Sequence, residues 1–398
     1  MMNDFDGEMA RRLAALRADG LWRELRRVET PQSPRLRIGG QTLLNFASND
    51  YLGLANDPAV REAAIRAVEQ YGAGAGASRL VCGSLAPHHA LDEALAAFKG
   101  VEAALSFSSG YACALGALGA LLGRGDFVIL DQRVHASIVD AARLCGAKLR
   151  VFNHNDLDSL EARLKWVRAQ ASARKARALV VTESVFSMDG DHAPLRELAA
   201  LKERYGAWLM VDEAHAVGLY GARGRGLAAA LGVSERIEVQ MGTLGKAMGA
   251  AGGYLCGSRA LVDCLINRAR PFLFSTAPVP AAVAAAAAGV RLAQSRTGEE
   301  RRARLWQNVA RLLPAAPARA PTDRSAIIPI RIGDEARALA IADALRARGI
   351  FLPAIRYPTV ARGAARLRLT VTAAHTPADL DQLQAALDAL GLELDPGS

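Results

Sequence analysis

WLMVDEAH (residues 208–215) places an acidic residue and a histidine directly after an apolar run that is typical of a buried strand. The next strand-like run, 237–241, is followed by TLGK (243–246), which ends on a lysine. Such a lysine can form a Schiff base with the aldehyde of pyridoxal 5'-phosphate (PLP), and such a carboxylate can pair with the protonated pyridine nitrogen. The two segments together predict a PLP enzyme in which Lys246 and Asp212 are catalytic and His215 reaches the phenolic oxygen of the ring.

Each segment alone has a simpler interpretation. An aspartate at a strand end is commonly a cap or turn residue, and a Gly-Lys pair is commonly a turn. GTLGK (242–246) also resembles a phosphate loop, but its glycines are too close together and Ala247 stands where a Ser or Thr is required. GAGAGASR (72–79) follows a helical pattern, whereas a dinucleotide fingerprint follows a strand, which excludes a Rossmann site.

The composition is that of an ordinary globular protein: 398 residues, 51% hydrophobic and 22% charged. The net charge of +9 raises the question of nucleic-acid binding. However, the arginines are scattered along amphipathic helices among acidic residues, and no nucleic-acid motif accompanies them. We therefore expect no nucleic-acid partner. The arginine excess would suit an anionic substrate, and composition bias of the source genome explains it equally well.

The cysteines are isolated from one another and from histidines, at positions 82, 113, 145, 256 and 264. This spacing predicts reduced, mostly buried thiols and no metal site. The acidic start of the chain (Asp4, Asp6, Glu8) is unlike a signal peptide. The longest apolar stretch, 277–290, is too short to cross a bilayer. We therefore expect a cytoplasmic protein without a membrane partner.

From residue 100 onward, strand and helix patterns alternate. Strands are predicted near 103–107, 126–130, 148–152, 178–183, 207–211, 237–241 and 252–256, and helices near 110–122, 136–145, 156–170, 194–204 and 258–270. This alternation predicts an α/β fold with a mostly parallel sheet that is covered on both faces. Ligands of such sheets bind beyond the carboxyl ends of the strands, where Asp212 and Lys246 fall.

Three segments are predicted along the chain. Residues 1–50 form an N-terminal segment with a helix over 5–28 and a strand over 43–47. Residues 51–290 form the large PLP-binding domain, with helices near 58–70 and 88–98 before the alternating part. Residues 291–398 form a smaller α+β domain, preceded by a helix over 277–294. Its predicted elements are helices over 298–313, 334–348 and 377–390 and strands near 326–332, 350–355 and 366–372.

Further site candidates follow strand ends. Gly110 and Tyr111 open a helix, and the free N–H groups there suit the cofactor phosphate, although such a start is also a common N-cap. His135 lies between a strand and a helix and could be a catalytic residue that stacks on the pyridine ring and helps to protonate the substrate, whereas a lone loop histidine is usually structural. Ser187 could contact the cofactor or be a turn residue. Arg356 offers a fork for a carboxylate, although any single arginine is weak evidence in so arginine-rich a chain.

Several long motifs stand in the order found in one family of PLP enzymes. They are NFASNDYLGL (45–54), TESVFSMDG (182–190), RLR (366–368) and AAHT (373–376). Together with the lysine and aspartate segments, they make essentially the whole chain resemble the α-oxoamine synthases, which have the aspartate-aminotransferase fold (fold type I). The resemblance implies a PLP-dependent acyltransferase that joins an amino acid to an acyl thioester with loss of carbon dioxide.

The resemblance also implies roles for individual residues. Lys246 is the Schiff-base lysine, Asp212 the pyridine-nitrogen partner and His135 the residue stacked on the ring. The implied cofactor contacts are Gly110, Tyr111, His135, Ser187, Asp212, His215, Thr243, Lys246, Ser275 and Thr276, the pair 275–276 reaching the phosphate of the partner subunit in a homodimer. The implied substrate contacts are Arg23, Asn49, His135, Arg356 and Thr359.

Within the family, AIRYPTV (354–360) is most similar to the subgroup that condenses L-alanine with pimeloyl-CoA or a pimeloyl carrier-protein thioester. Tyr357 and Ala361 each stand at a position where that subgroup usually has proline. A YPTV run also occurs among sister enzymes that use glycine, although those typically have asparagine in place of Arg356. Glycine-dependent acyl transfer is therefore the main alternative. A catalytically silent regulator with this fold is disfavoured, since the lysine, aspartate and histidines are all present.

Overall fold

The computed structural model describes residues 4–171, 176–313, 322 and 324–394. Its strands are β1 (Arg35–Ile38), β2 (Gln41–Asn45), β3 (Ala103–Phe107), β4 (Phe127–Asp131), β5 (Lys148–Phe152), β6 (Ala178–Glu183), β7 (Trp208–Asp212), β8 (Val239–Thr243), β9 (Gly253–Gly257), β10 (Ile327–Gly333), β11 (Ile350–Phe351), β12 (Ala354–Ile355) and β13 (Ala365–Thr370). Its helices are α1 (Phe5–Ala18), α2 (Pro58–Tyr71), α3 (Ala86–Lys99), α4 (Gly110–Leu121), α5 (Ala136–Leu144), α6 (Leu157–Ala171), α7 (Leu195–Tyr205), α8 (Leu227–Ala230), α9 (Arg259–Arg268), α10 (Arg270–Leu273), α11 (Pro280–Gln294), α12 (Arg296–Leu312), α13 (Glu335–Ala347) and α14 (Pro377–Asp388).

The central sheet of the described chain has seven strands in the order β3-β9-β8-β7-β6-β4-β5. The strands from β5 to β8 are parallel, whereas β9 runs antiparallel to both β8 and β3. The predicted α/β fold with a mostly parallel sheet is therefore confirmed. Apart from the edge strand β5, the strands are mostly apolar and buried because successive side chains enter two separate cores. Ala104 and Val180 pack into one core, whereas Leu105 and Val181 pack into the other.

The parallel strands bring polar residues to one edge of the sheet. Asp131, Glu183, Asp212 and Thr243 are the last residues of β4, β6, β7 and β8. The register pairs Glu183 with Asp212, and Asp212 with Met241. Residues that are far apart in sequence are thus gathered at the carboxyl ends of the strands, which is where ligands of this sheet type bind.

Two smaller sheets lie outside the central one. In one, β13 is antiparallel to both β10 and β12. In the other, β1 and β2 form a hairpin, and β2 pairs in parallel with β11. The N-terminal strands are therefore joined by backbone hydrogen bonds to a strand more than 300 residues later in the chain.

Two local predictions were wrong, and one strand was missed. The helix predicted over 5–28 ends at Ala18, because Gly20 adopts a left-handed conformation (φ +66) and Leu21 N–H donates to Leu16 O at 2.8 Å, as in a glycine-terminated helix. The strand predicted near 350–355 is divided into β11 and β12 at Leu352-Pro353, since proline cannot donate to a ladder. Strand β1 was not predicted, although its alternate residues are buried.

Candidate active site

Lys246 and His215 are in direct contact at the carboxyl edge of the central sheet. Lys246 follows β8, and its Nζ lies 2.8 Å from Nε2 of His215, which follows β7. Asp212, the last residue of β7, is 4% exposed and accepts a hydrogen bond from the backbone N–H of Ala214 at 2.9 Å. The lysine, aspartate and histidine that the sequence singled out therefore share one site, because β7 and β8 are parallel neighbours.

Burial shifts the ionisation of all three groups. It lowers the pKa of Lys246 to about 8, against the opposing charge of Asp212. Burial raises the pKa of Asp212, and the charge of Lys246 opposes that shift. Burial also lowers the pKa of His215 well below its ordinary value, and the Lys246 charge acts in the same direction. His215 is therefore a neutral imidazole at neutral pH beside a lysine that is poised to exchange a proton.

His135 is held at this edge by a carboxylate that sequence reasoning missed. The buried Glu183 accepts a hydrogen bond from the backbone N–H of His135 at 2.6 Å. The His135 ring caps α5, its Nδ1 lying 2.8 Å from Ser137 Oγ. Desolvation lowers the pKa of His135, whereas the charge of Asp212 raises it, so the ring lies within electrostatic reach of Asp212. The available signal for Glu183 was its position at the end of β6, equivalent to that of Asp212 on β7.

The residues predicted to hold the phosphate lie around the start of α4. Ser109 caps this helix and accepts from the N–H of Ala112 at 3.1 Å, which leaves the N–H groups of Gly110 and Tyr111 in the unpaired first turn. The Tyr111 hydroxyl donates to Asp140 Oδ2. Thr243 ends β8, and its hydroxyl donates to Gly252 O at 3.1 Å.

Ser275 and Thr276 are both exposed and border a small crevice together with Ser108, at the end of β3. They lie in the segment after α10, whose Ala277 N–H donates to Ala77 O at 3.0 Å. This places the pair beside the strand end that leads into α4.

Ser187 is linked to the site through Arg368, a second residue that sequence reasoning did not single out. Ser187 is half-buried, and its carbonyl accepts from Nε of Arg368. Arg368 in turn reaches Tyr51, whose hydroxyl lies 2.6 Å from Nδ1 of His215. Both Arg368 and Tyr51 occur in motifs already noted, RLR and NFASNDYLGL, yet no local pattern in the sequence indicates that they meet.

Four of the five predicted substrate residues line two cavities that share Phe351, whereas His135 is not among the lining residues of either. One, of about 400 Å³, is lined by Asn49 and Lys246. The other, of about 680 Å³, is lined by Arg23, Arg356 and Thr359. Arg23 donates to Tyr357 O at 2.8 Å. The guanidinium of Arg356 is bound by the carbonyls of Gly20 and Trp22, so it is engaged by the N-terminal segment in this conformation.

The remaining expectations concern cysteines, metals and membranes. All five cysteines are free, but only Cys113 and Cys256 are buried, so the expectation of mostly buried thiols was wrong. Within residues 4–171, 176–313, 322 and 324–394, no group of three or more His, Cys, Asp or Glu side chains is arranged to hold a metal ion. In the same part of the chain, no helix is both long and apolar enough to span a bilayer.

Comparison with known proteins places this site in a family. The sequence profile of aminotransferase class I and II matches residues 41–387. The 8-amino-7-oxononanoate synthase of Anaeromyxobacter dehalogenans (strain 2CP-1) is 51% identical over 388 residues, which cover 96% of this chain and 95% of that protein. The protein of the same name from Symbiobacterium thermophilum is 43% identical, with coverage of 96% and 97%.

Solved structures agree with this assignment. Serine palmitoyltransferase from S. paucimobilis, determined with a bound PLP–myriocin aldimine, has a TM-score of 0.87 and 33% identity, over 98% of this chain and 99% of that one. The 8-amino-7-oxononanoate synthase of Francisella tularensis has a TM-score of 0.72 and 28% identity, over 87% and 96% of the two chains. Because the family profile and the relatives both span most of its length, the chain belongs to the aminotransferase class I and II family of PLP-dependent enzymes.

Proposed function

We propose that the chain acts as an 8-amino-7-oxononanoate synthase. It would condense L-alanine with pimeloyl-CoA, or a pimeloyl carrier-protein thioester, to give 8-amino-7-oxononanoate, free CoA or carrier, and carbon dioxide, as a cytoplasmic step of biotin biosynthesis. The observation that carries this proposal is the 51% identity, over nearly the full chain, to a relative of that name. The serine palmitoyltransferases are structurally similar but share only about a third of their residues with this chain.

The site residues fit PLP by their chemistry. A partly buried lysine, a buried carboxylate and a neutral imidazole converge within one site, next to a helix start with unpaired N–H groups. We assign Lys246 to the aldehyde, Asp212 to the pyridine nitrogen and His215 to the phenolic oxygen. The phosphate is assigned to Gly110, Tyr111 and Thr243, with Ser187 as a further contact. When bound, the cofactor supplies an electron sink for negative charge on the α-carbon of the amino acid.

The protein residues would manage protons around that chemistry. Lys246, with its pKa lowered to about 8 by burial, can release a proton near neutral pH and then accept the α-proton of the amino acid. Asp212, as a carboxylate, would keep the pyridine nitrogen protonated. His135 lies within electrostatic reach of both groups and is assigned to the ring face and to the transfer of a proton to the substrate.

The two cavities suggest where the substrates bind. Asn49 shares the smaller cavity with Lys246, which suits the amino acid. Arg23 and Thr359 line the larger one, which suits the acyl chain and its terminal carboxylate. We assign Arg356 to a substrate carboxylate, although its guanidinium is held here by the carbonyls of Gly20 and Trp22. Substrate binding there requires these two carbonyls to be exchanged for the carboxylate.

We also propose a homodimer with a shared active site, in which Ser275 and Thr276 reach the phosphate of the partner subunit. Phe274, immediately before this pair, is 72% exposed, and Val81 is 78% exposed on the loop next to it. Exposed apolar side chains at this position would be covered by a partner. The division into an N-terminal segment (1–50), a large domain (51–290) and a small domain (291–398) remains part of the proposal.

Turnover assays of the PLP-loaded protein test the proposed reaction. L-Alanine, glycine and L-serine would each be combined with pimeloyl-, acetyl-, succinyl- and palmitoyl-CoA, while free CoA is measured and the product mass is determined. The proposal expects CoA release and the mass of 8-amino-7-oxononanoate only with L-alanine and pimeloyl-CoA. Preference for glycine with acetyl- or succinyl-CoA would move the function to a sister enzyme. Preference for serine with palmitoyl-CoA would favour the activity named for the structural relatives.

An Arg23→Ala variant tests the position of the acyl chain. We expect KM for pimeloyl-CoA to rise at least tenfold, as for the loss of one charge-assisted hydrogen bond, with little change in KM for L-alanine. Arg27→Ala is the control, since it removes an exposed arginine four residues away that does not line the cavity. Equal KM values in Arg23→Ala and the wild type would remove Arg23 from the substrate site.

A further inference from the structure

The buried hydroxyl of Tyr51 contacts three polar side chains next to the active site. The side chain is fully buried, and its oxygen lies 2.6 Å from Nδ1 of His215. The same oxygen lies 3.4 Å from Nη2 of Arg368 and 3.4 Å from Oδ1 of Asn49. His215 and Arg368 are themselves buried, 5% and 7% exposed, so these groups satisfy one another within the protein.

Lys246 and Arg368 lie at the two ends of this series of contacts, and their chemistry fixes the direction of every hydrogen bond in it. A charged lysine and an arginine can only donate. Nε2 of His215 must therefore accept from the Lys246 ammonium at 2.8 Å. A neutral imidazole with an accepting Nε2 carries its proton on Nδ1, which must then donate to the oxygen of Tyr51.

All the hydrogen-bonding capacity of the Tyr51 hydroxyl oxygen is then occupied. It has one proton and two acceptor sites. The acceptor sites receive the protons of His215 Nδ1 and of Arg368 Nη2, so the hydroxyl proton is left for Oδ1 of Asn49. Every hydrogen bond that links Arg368 and Lys246 to Asn49 through Tyr51 and His215 thus has one donor and one acceptor.

We infer that Tyr51 is a positioning residue that holds His215 in the Nδ1–H tautomer and so keeps Nε2 as the hydrogen-bond acceptor that faces Lys246. Tyr51 acts on Lys246 through His215, whose other ring nitrogen faces the lysine amine. The same hydroxyl orients the amide of Asn49, which lines the cavity shared with Lys246. One buried hydroxyl therefore contacts two side chains of the site, His215 and Asn49.

The tautomer can be read directly from the cofactor-free protein. Imidazole nitrogen shifts in ¹⁵N-histidine-labelled protein distinguish Nδ1–H from Nε2–H, and the signal of His215 is identified by its loss in His215→Gln. At a pH below about 7, where Lys246 is charged, we expect the wild type to give the Nδ1–H pattern. An Nε2–H pattern in the wild type would overturn the inference without any Tyr51 variant.

Tyr51→Phe then tests the role of the hydroxyl. Loss of one buried hydrogen-bond acceptor corresponds to about a tenfold change in an equilibrium, so the preference for Nδ1–H should fall about tenfold. Tyr254→Phe is a matched control. Tyr254 is fully buried in β9, and within the part of the chain that the structure describes its hydroxyl has no hydrogen-bond partner. That variant should leave the His215 signal unchanged.

Kinetics provide a second readout in the loaded enzyme. For the best substrate pair, Tyr51→Phe should lower kcat about tenfold and leave KM for the acyl thioester unchanged, while Tyr254→Phe should match the wild type. An unchanged tautomer ratio in a folded Tyr51→Phe protein would refute the positioning role. The nitrogen shifts do not depend on which amino acid or thioester is turned over, so failure of the proposed function would leave this test intact.

Discussion

Glu183 and Asp212 are paired residue to residue on the neighbouring parallel strands β6 and β7, and both are buried. Burial raises the pKa of both carboxyls, that of Glu183 to about 8, and the charge of Asp212 adds to the shift of Glu183. Two buried carboxyls side by side resist double ionisation. We expect Glu183 to keep the proton at neutral pH, because its pKa is raised to about 8 and the charge of Asp212 adds to that shift.

Glu183→Gln should therefore imitate the protonated acid and retain the oxygen that accepts from His135 N–H. Since the folded pKa lies above the unfolded one, the contribution of Glu183 to wild-type stability should fall as pH rises from about 4.5 to about 8. The variant should match the wild type near pH 4.5 and be more stable near pH 9. Urea unfolding of both cofactor-free proteins across this range measures the difference, and parallel pH profiles would contradict the shared-proton assignment.

Lys99 forms a second buried pair with Glu213, the residue that follows Asp212 in the sequence. Lys99 Nζ lies 2.5 Å from Glu213 Oε2, with side chains 1% and 0% exposed, and Glu213 also accepts from Ala228 N–H at 2.9 Å. Lys99→Met should lower the free energy of unfolding by about 3–5 kcal/mol, because it leaves a buried carboxylate without its cation. Lys99→Met with Glu213→Leu should recover part of that loss in denaturant titrations.

The exposed pair Lys165–Glu161 provides the control for this measurement. Lys165→Ala should leave the free energy of unfolding almost unchanged, as is typical of exposed helix pairs. If Lys99→Met cost as little as this surface change, the buried pair would have no structural importance.

The sequence was sufficient to locate most of the fold because its signals are local. Each central strand is an apolar run bounded by turn or charged residues, and the predicted strands agree with β3 to β9 within two residues. The strand ends then indicated Lys246, Asp212 and His215, since the carboxyl ends of parallel strands share one edge. The end of α1 was misplaced because leucines continue beyond Gly20, although the left-handed conformation of that glycine ends the helix.

Contacts between residues that are far apart in the chain could not be predicted from the sequence. Tyr51 and His215 are 164 residues apart, and Lys99 and Glu213 are 114 apart. Neither pair has a spacing or periodicity that distinguishes it from any other tyrosine and histidine, or lysine and glutamate. Their pairing follows from how α3, β7 and the segment after β2 pack together, which is a property of the tertiary structure.

Lys246→Ala tests the central assignment of the site. Without the amine, the protein should lose turnover and the visible absorbance that a lysine-attached cofactor gives, because no other group in the site can form that bond. The same change should raise the pKa of His215, since the Lys246 charge helps to lower it. Absorbance and product formation would be measured beside Lys165→Ala, which should match the wild type. Retention of both signals in Lys246→Ala would disprove the assignment.

His154 joins the loop that carries His135 to the loop that carries Ser187. Its Nδ1 lies 2.9 Å from Asp131 Oδ1 and its Nε2 lies 2.5 Å from Asp191 Oδ2. Burial alone would lower the pKa of His154, but the hydrogen bonds to the two carboxylates outweigh burial and raise it to about 9. Because the folded pKa exceeds the unfolded one, the stabilisation is complete below about pH 6.5 and is lost as pH rises through about 9.

His154→Gln should therefore lower the free energy of unfolding by about 3 kcal/mol near pH 6, at about 1.4 kcal/mol per pKa unit, and by much less near pH 10. Denaturant unfolding of the cofactor-free protein at several pH values measures this dependence. His89→Gln is the control, because that histidine is exposed and its hydrogen bond, at 3.0 Å, is to the neutral hydroxyl of the nearby Ser84. A loss of stability in His154→Gln that stayed constant from pH 6 to pH 10 would indicate packing alone, without a charged imidazole between the two loops.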